Sequence, residues 1–427
     1  MNVESYEAVR TKHRSNTDRL GISLDEIPAA RRRPIPVLLT VRELNYGGIQ
    51  RDVTKIALSL DRTRFEPHVA TYQIDGMHAE ELNRAGVPVL HIPMTSLKSP
   101  SAIFSAIRMG SYIRRHGIRL VHAFDTSAVF VVPLARALRV PAVLSSTLGN
   151  RTLLDRRSHR QMKWTDRMVD TVVVNCEAMR RHLIDGEHVP GERIELCYNG
   201  LVTTEFFPEN VSRPNAIANA SLMIGTVCVL RPEKALTLLQ EAFAEVRHLD
   251  PKMKLVFVGS GLLLASLREN AARLEIAENN VFIPATRDVA TWLRSMDIFV
   301  LPSYSEAFSN SLLEAMACGC AVVGSRVGGT PELIGSNNER GLLFESRDVA
   351  DLAGKLSKLI TDRDLRRNLG TRAARFVREN LTIEIAAERT AAIYEKVLQR
   401  KAGRQCRIGV AREQGVRVGP SSISNVR

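Results

Sequence analysis

Aromatic residues, cysteine motifs and long apolar runs are scarce in this sequence. Phe, Trp and Tyr make up 5% of its 427 residues and do not interleave with the basic residues, so a nucleic-acid partner is not expected. No stretch reaches the roughly 18 uninterrupted apolar residues that indicate a membrane-spanning helix. Residues 1–20 carry charges without an apolar run behind them, which argues against a secretory signal.

The six cysteines form no CxxC pair, and no histidine cluster accompanies them. This pattern favours neither a disulfide framework nor a metal centre. Cys318 and Cys320 flank a glycine in an apolar stretch, where small buried side chains are the expected explanation. We therefore expect a cytoplasmic protein with reduced thiols.

The net charge of +13 is unevenly distributed along the chain. Residues 1–200 contain 29 Lys or Arg and 21 Asp or Glu, whereas residues 201–400 contain 24 of each. In the first half, basic residues recur at 108–119 and at 156–167. This excess suits either a solvated basic face or a peripheral contact with the anionic inner face of a membrane.

A chain of this length is expected to form two domains, and 44% hydrophobic residues are enough for two cores. Asn199-Gly200 and the Asn-, Pro- and Ser-rich residues after them indicate a linker. The predicted organisation is a flexible leader at 1–33, a first domain at 34–200, a second domain at 201–381, a helix at 382–401 and a disordered tail at 402–427.

Short β-branched runs alternate with amphipathic helical stretches in both predicted domains, which is typical of βαβ units and parallel sheets. The first domain has predicted strands at Ile35–Val41, His68–Tyr72, Val87–Ile92, Leu120–Ala123, Ala142–Ser145, Thr171–Asn175 and Ile194–Tyr198. The second has predicted strands at Met223–Leu230, Lys254–Val258, Val281–Ile283, Ile298–Leu301, Ala321–Ser325 and Gly341–Phe344. The predicted helices include Gln50–Leu60, Ala235–Leu249, Ser311–Cys318 and Val349–Ile360. We therefore predict an α/β fold with two Rossmann-like parallel sheets.

The segment SYSEAFSNSLLEAMA follows a predicted strand and opens a helix near residue 310. A helix N-terminus at the end of a parallel strand suits a diphosphate, which makes Ser309, Asn310 and Ser311 candidate ligands. Glu306 precedes the helix and can reach sugar hydroxyls, and Glu314 can accept hydrogen bonds from ribose hydroxyls. The alternative is an ordinary helix N-cap beside a surface carboxylate.

Three further motifs follow predicted strands. Arg231 and Lys234 in LRPEK could neutralise two phosphates, although a charged turn would have the same sequence. Gly47-Gly48 in NYGGIQR allows a close approach to a ligand, or forms a plain tight turn. His122 in VHAFD is either a site residue or a structural histidine. VGGTPE, at residues 327–332, is another glycine-rich turn.

The order of these motifs resembles the group 1, or family 4, retaining glycosyltransferases of the GT-B fold, over about residues 36–400. The most specific matches are the Glu-x7-Glu spacing within EAFSNSLLEAMACGCAVVGSRVGGTPELI and the segment YNGLVTTEFFP at the linker. LRPEK and LVFVGSG add to the match. The resemblance implies two domains facing across a cleft, a donor held mainly by the second domain, and a last helix that crosses back to the first.

The resemblance also implies residue roles in the second domain. In that family the first Glu contacts the donor sugar and the second contacts the ribose, which assigns Glu306 and Glu314. The family's basic pair binds the diphosphate, and its Lys matches Lys234. The family's Arg falls on Val229 in this sequence, so Arg231 is the candidate substitute.

Further matches concern the first domain and the residue after the lysine. His122 falls where the family often has a His near the transferred sugar, which makes it a candidate catalytic residue together with Glu306 and Lys234. Gly47-Gly48 matches the loop that meets the donor phosphate or the acceptor. The family's usual Gly after the Lys is Ala235 here.

The expected function is retaining transfer of a hexose-type sugar from a nucleoside diphosphate sugar to an acceptor hydroxyl. The acceptor is expected to be a saccharide or a lipid-linked molecule, in polysaccharide, lipopolysaccharide or glycolipid synthesis. No cofactor or metal is expected, because two basic groups and helix-terminal amides can offset the diphosphate charge. The alternatives are a nucleotide-sugar epimerase on the same fold and a non-catalytic protein that binds sugar nucleotides.

Overall fold

The computed structural model describes residues 33–413 apart from Tyr46, Thr95, Asn150 and Asn210. Residues 1–32 of the predicted leader and residues 414–427 of the predicted tail lie outside the described residues.

The first sheet contains seven parallel strands in the order β3-β2-β1-β4-β5-β6-β7. The strands are β1 (Ile35–Glu43), β2 (Phe65–Gln73), β3 (Val89–His91), β4 (Leu120–Phe124), β5 (Ala142–Thr147), β6 (Thr171–Val174) and β7 (Ile194–Leu196). The helices that connect them are α1 (Gly48–Ser59), α2 (Met77–Arg84), α3 (Pro100–Arg115), α4 (Ala128–Ala137), α5 (Arg156–Asp166) and α6 (Glu177–Arg181). In the register of the central pair, Leu39 of β1 lies opposite His122 of β4.

The second sheet contains six parallel strands in the order β10-β9-β8-β11-β12-β13. The strands are β8 (Met223–Val227), β9 (Lys254–Val258), β10 (Asn280–Ile283), β11 (Ile298–Leu301), β12 (Ala321–Ser325) and β13 (Leu342–Phe344). The helices are α7 (Leu236–Val246), α8 (Leu264–Arg273), α9 (Val289–Ser295), α10 (Asn310–Ala317), α11 (Thr330–Ile334), α12 (Val349–Thr361) and α13 (Arg363–Asn380).

Helices cover both faces of each sheet, so the central strands are buried along their length. All residues of β4, β5, β11 and β12 are buried. Burial on both faces explains why these strands lack polar alternation and are mostly apolar, although β4 contains His122 and β5 ends in Ser145, Ser146 and Thr147. The α/β prediction and all thirteen predicted strands are confirmed, with bounds that differ by a few residues.

The polypeptide passes between the two domains twice, and the two crossings pair with each other. The amide of Leu201 donates to the carbonyl of Leu381, and the amide of Ile383 donates to the carbonyl of Leu201. After the second crossing, α14 (Ile383–Glu413) packs on the first domain, where Tyr394 contacts Phe65 edge-to-face. This helix continues past residue 401, where the sequence analysis expected a disordered tail to begin. That expectation is corrected for residues 402–413.

Candidate functional site

The carboxyl ends of the two sheets meet in a cleft, the position at which open α/β sheets bind ligands. A cavity of about 240 Å³ lies there. From the first domain it is lined by Cys176, Ala178, Met179 and His182, and from the second by Tyr304, Ser305, Glu306, Val327 and Gly328. The lining residues follow β6, β11 and β12, so the cavity is a property of the fold.

Lys234 and Glu306 form a largely buried ion pair at this cleft. The Nζ atom of Lys234 lies 2.6 Å from Oε2 of Glu306. Burial works to lower the pKa of Lys234, but the charge and hydrogen bond of Glu306 raise it above its usual value. The structure therefore brings together the predicted phosphate ligand after β8 and the predicted sugar ligand after β11.

The backbone of Glu306 is held by the glycine-rich turn after β12. Gly328 has φ +51, and a Cβ atom at this position would lie 1.8 Å from the carbonyl oxygen of Glu306. The amide of Gly329 donates to the carbonyl of Ala307 at 2.6 Å. Only glycine combines this conformation with such a close approach. The VGGTPE motif therefore supports the Glu306 loop from behind.

The N-terminal end of α10 contacts α1 across the cleft. Ser309 is the N-cap, and its Oγ accepts from the amide of Leu312 at 3.3 Å. The Oγ atoms of Ser309 and Ser311 lie 3.2 Å apart. A Cβ atom on Gly48 would lie 3.4 Å from Nδ2 of Asn310. The predicted Gly47-Gly48 loop and the predicted diphosphate-binding helix end therefore lie side by side.

A polar cluster joins the two domains beside this helix end, and we call it the α1–α10 cluster. It comprises Arg51, Asp52, Lys55, Asn199, Asn310 and Glu314. Nδ2 of Asn310 donates to Asp52 Oδ1 at 3.0 Å, and Nδ2 of Asn199 donates to Asp52 Oδ2 at 3.1 Å. Arg51 forms an ion pair with Glu314, which is almost fully buried.

Burial dominates the electrostatics of the α1–α10 cluster. Desolvation raises the pKa of Asp52 to about 6, although Lys55 and Arg51 oppose the rise. Desolvation also raises the pKa of Glu314 and lowers the pKa of Lys55. The Nζ atom of Lys55 is buried and has no hydrogen-bond partner among the described residues. The cluster therefore holds several charged groups with little water around them.

Two family profiles match the chain, one in each domain. The profile described as glycosyl transferases group 1 matches residues 209–376. The profile described as a glycosyl transferase 4-like domain matches residues 47–200. The chain belongs to the group 1 glycosyltransferases.

About three in ten aligned residues are identical between this group 1 chain and its curated relatives. The N-acetyl-alpha-D-glucosaminyl L-malate synthase of Bacillus anthracis is 29% identical over 228 residues, which cover 52% of this chain and 59% of that protein. The D-inositol 3-phosphate glycosyltransferase of Stackebrandtia nassauensis is 30% identical over 251 residues, which cover 55% of each protein. The chain thus aligns with little more than half the length of these relatives.

Solved structures establish the fold more fully. Anabaena HepE in complex with UDP-glucose superposes with a TM-score of 0.74 at 18% identity, covering 85% of this chain and 100% of that one. Sucrose-phosphate synthase from Thermosynechococcus elongatus superposes with a TM-score of 0.75 at 19% identity, covering 86% of this chain and 100% of that one. The predicted GT-B fold is therefore confirmed.

The loop after β8 in this group 1 protein carries both predicted phosphate ligands, but they differ in environment. The side chain of Arg231 is exposed and makes no hydrogen bond or ion pair with the described residues. Ala235 has φ 50 and ψ 41, a left-handed conformation that glycine adopts without cost. The usual glycine after the lysine therefore suits the backbone of this turn, and the chain tolerates alanine there.

His122 is a packed residue of the first domain. Its Nδ1 lies 2.8 Å from the hydroxyl of Tyr394 on α14, and its Nε2 lies 2.8 Å from Oγ of Ser146 on β5. Burial lowers its pKa to about 3. It lines a smaller cavity that shares no lining residue with the Glu306 cavity. Both ring nitrogens of His122 are therefore occupied within this packing, and a role for His122 beside the transferred sugar stays a prediction.

A second contact between the domains involves a residue that the sequence analysis did not single out. Both carboxylate oxygens of Glu332 on α11 accept 2.9 Å hydrogen bonds from the amides of Glu177 and Ala178, which begin α6. The hydroxyl of Tyr198 donates to Glu332 at 3.1 Å. The sequence feature that could have identified Glu332 is its place at the end of VGGTPE, where a carboxylate follows a glycine-rich turn.

Among the described residues, no group of three or more His, Cys, Asp or Glu side chains is placed to hold a metal ion. Asp362 and Asp364 form the sequence's Asp-x-Asp near α13. Asp362 is the N-cap of that helix, and its Oδ1 accepts from the amide of Leu365 at 2.8 Å. Helix capping is therefore the observed role of Asp362.

Proposed function

We propose that the chain transfers a sugar from a nucleoside diphosphate sugar to an acceptor hydroxyl, with retention of configuration. The observation that carries this proposal is the Lys234–Glu306 pair in the cleft between the two sheets. The names of the curated relatives support the transfer reaction, and a structural neighbour solved with UDP-glucose supports a nucleotide-sugar donor.

The reaction breaks the bond between the anomeric carbon and the diphosphate and forms a bond to the acceptor oxygen. The departing diphosphate gains negative charge, and preorganised cations and amides stabilise it. Lys234 provides a cation on the second domain, and the exposed Arg231 provides another from the same loop. The first turn of α10, beginning at Asn310, presents backbone amides and the positive end of its dipole.

The two carboxylates of the Glu-x7-Glu motif bind different parts of the donor. Glu306 lines the cavity and accepts hydrogen bonds from the hydroxyls of the transferred sugar. Glu314 accepts from the ribose hydroxyls, and Arg51 stabilises its buried charge from the other domain. Closure of the cleft excludes water and so limits hydrolysis of the donor.

The acceptor approaches from the first domain, whose charge is positive. We assign it as a saccharide or a lipid-linked molecule in polysaccharide, lipopolysaccharide or glycolipid synthesis, used at the inner face of a membrane. No helix of the described residues is long and apolar enough to cross a membrane. The five described cysteines are free thiols, which suits the reducing cytoplasm.

The test is product formation by the purified chain with uridine, guanosine and adenosine diphosphate sugars and a panel of acceptors. The expected product keeps the donor's anomeric configuration by NMR, and added chelator leaves the rate unchanged because basic side chains offset the diphosphate charge. Interconversion of the donor sugar without an acceptor would identify an epimerase instead. Donor binding without turnover of any acceptor would identify a non-catalytic binding protein.

A further inference from the structure

Helix α3 has an unusual outer face. Its inner face is buried through residues such as Met109 and Ile113. On the opposite side Ile103, Phe104 and Ile107 are 68%, 58% and 67% exposed. Ile107 lies four residues after Ile103 and three after Phe104, so the three side chains project from one side of the helix. We call them the α3 ridge.

The charged residues along the part of the sequence that contains α3 are almost all basic. Residues 82–154 contain nine Lys or Arg and a single acidic residue, Asp125. Lys98, Arg108, Arg114 and Arg115 on or beside α3 are exposed, and none forms a salt bridge with the described residues. A helix with large apolar side chains and unpaired cations on its outer face has the composition of an interfacial helix.

A second helix on the same side has similar features. Buried residues of α3, α4 and α5 belong to one cluster, whereas those of α1 and α14 belong to another. Helices α3 and α5 therefore cover the same face of the first sheet. On and just before α5, Leu153 and Trp164 are exposed, as are Arg156, Arg157 and Arg160. Exposed tryptophan beside basic residues is typical of a membrane–water interface.

The orientation of α3 connects this face with the cleft. Helix α3 begins after β3, at the carboxyl end of the first sheet, and runs back toward the other end. The α3 ridge occupies its first two turns, and Arg114 and Arg115 occupy its last. The apolar part is therefore nearer to the cleft than the arginines at the far end.

We propose that the outer face of α3 docks on an anionic lipid bilayer, with the α3 ridge among the acyl chains and the flanking cations at the lipid phosphates. A second copy of the chain fits this face less well, because a self-contact would bring two unpaired basic surfaces together. Three side chains also form a smaller surface than stable dimers bury. Docking rests on the proposed function only in its purpose, which is to bring the cleft to a lipid-linked acceptor, since binding to the bilayer requires no catalysis.

The experiment is flotation of the full chain with vesicles of phosphatidylcholine alone or mixed with phosphatidylglycerol. The expected result is binding to the mixed vesicles only. The triple variant Ile103→Ser, Phe104→Ser, Ile107→Ser is expected to lower the partition constant by at least about tenfold at any salt concentration, because apolar insertion is not screened. The variant Arg108→Glu, Arg114→Glu, Arg115→Glu is expected to bind weakly and with little dependence on salt.

Two controls change exposed apolar residues elsewhere. Leu262→Ser, at a position 92% exposed in the second domain, and Ile385→Ser, at a position 45% exposed on α14, are expected to bind vesicles like the wild type. Circular dichroism and thermal unfolding check that each variant is folded. Absence of binding at low salt, or unchanged binding by the folded ridge variant, overturns the proposal. A dimer in sedimentation velocity that the ridge substitutions dissociate overturns it in favour of self-association.

The assay also separates this proposal from the proposed function. Vesicle binding is measured without donor or acceptor, so a chain that transfers no sugar can still dock. The ridge residues do not line the Glu306 cavity, so the triple variant is expected to keep its turnover of a water-soluble acceptor. Loss of that turnover together with unchanged flotation would contradict docking through α3 while leaving sugar transfer intact.

Discussion

The opposite charges of Lys234 and Glu306 lie close together, with Nζ 2.6 Å from Oε2, so each side chain limits the conformational freedom of the other. A diphosphate brought to this cleft adds negative charge beside Lys234, while the sugar offers hydroxyls to Glu306. The pair thus positions both side chains before the donor binds. Holding charged groups in place before the reaction is the largest electrostatic contribution to catalysis in many enzymes.

We expect Lys234→Ala and Glu306→Gln each to lower the rate of sugar transfer by at least about a hundredfold, because loss of one charge-stabilising contact typically costs on the order of 3 kcal/mol. The measurement is kcat/KM with the best donor of the panel. Lys252→Ala, which removes an exposed lysine elsewhere in the second domain, is the control. Near-normal turnover by a folded Lys234 or Glu306 variant would contradict the site assignment.

The burial of His122 has a consequence for stability against pH. Desolvation lowers its folded-state pKa from 6.5 to about 3. A depressed pKa means that the unfolded chain binds the proton more tightly, so the stabilising contribution is complete above pH 6.5 and is lost as the pH falls toward 3. The cause is the transfer of a positive charge into a packed interior.

We therefore expect the free energy of unfolding to fall by up to about 1.4 kcal/mol per pH unit below pH 6.5 through this one group. His122→Gln is expected to be less stable than the wild type at pH 7.5, through its altered contacts with Tyr394 and Ser146, but less sensitive to acid. Unfolding midpoints from pH 7.5 to pH 5 measure the difference. His248→Gln at an exposed position should keep the wild-type slope, and an equally steep slope in His122→Gln would disprove the assignment.

Single residues differed in how well their sequence context predicted them. The positions of Glu306 and Lys234 were predictable because each lies in the loop after an apolar strand, so the topology brings them to the same sheet edge. Asn199 and Asp52 were not, because they meet only when the two domains fold together, and no local pattern records a contact over 147 positions. The packing of His122 against Tyr394 was not predictable either, because the two residues are 272 positions apart.

At the scale of elements, the strands were predictable because a parallel sheet covered on both faces requires uninterrupted apolar segments. Segments such as Lys254–Val258 and Ile298–Leu301 have the predicted bounds. Helix ends were less certain, and α14 shows why. Its sequence past residue 401 is polar and basic, which indicated a disordered tail, yet the helix continues to Glu413.

Helix α10 carries the next prediction, because it places Glu314 on the buried side of its second turn. Glu314→Ala is expected to raise the KM for the donor with a smaller effect on kcat, since a ribose contact is present both before and during the reaction. Glu314→Gln keeps a hydrogen-bonding group and should show a smaller increase. Steady-state kinetics and donor titration by calorimetry measure both.

A variant of the partner residue controls for stability at this position. Removing the Glu314 carboxylate leaves Arg51 without its partner in the α1–α10 cluster, and Arg51→Ala perturbs the same pair from the other domain. If Glu314 acts only through this pair, the two variants will have the same kinetic effect. A larger increase in KM for Glu314→Ala than for Arg51→Ala is expected. Equal donor affinity in Glu314→Ala and the wild type would refute the ribose contact.

At the scale of the whole molecule, the two domains are joined by two crossings of the chain and by contacts at two places on the cleft. The α1–α10 cluster joins them near the diphosphate-binding helix end, and Glu332 joins them at α6. Both contacts use polar groups, which exchange with water more readily than apolar groups do, and the rings of Tyr198 and Phe308 add an apolar contact between the domains, with centroids 5.3 Å apart. This arrangement suits domains that must close around a donor and then release a nucleoside diphosphate.

Glu332 provides the sharpest test of this closure. Its carboxylate accepts hydrogen bonds from two amides and one hydroxyl of the first domain, and it does not line the Glu306 cavity. Glu332→Ala is expected to leave each sheet folded but to loosen the closed arrangement. Hydrolysis of the donor relative to transfer should then rise severalfold, on the order of threefold to tenfold, because water enters the cleft. The radius of gyration in X-ray scattering should also increase.

Glu345→Ala is the control and should change neither the ratio of hydrolysis to transfer nor the radius of gyration. Glu345 is exposed and pairs with Arg326 within the second domain. An unchanged ratio of hydrolysis to transfer in Glu332→Ala would mean that this contact does not govern closure.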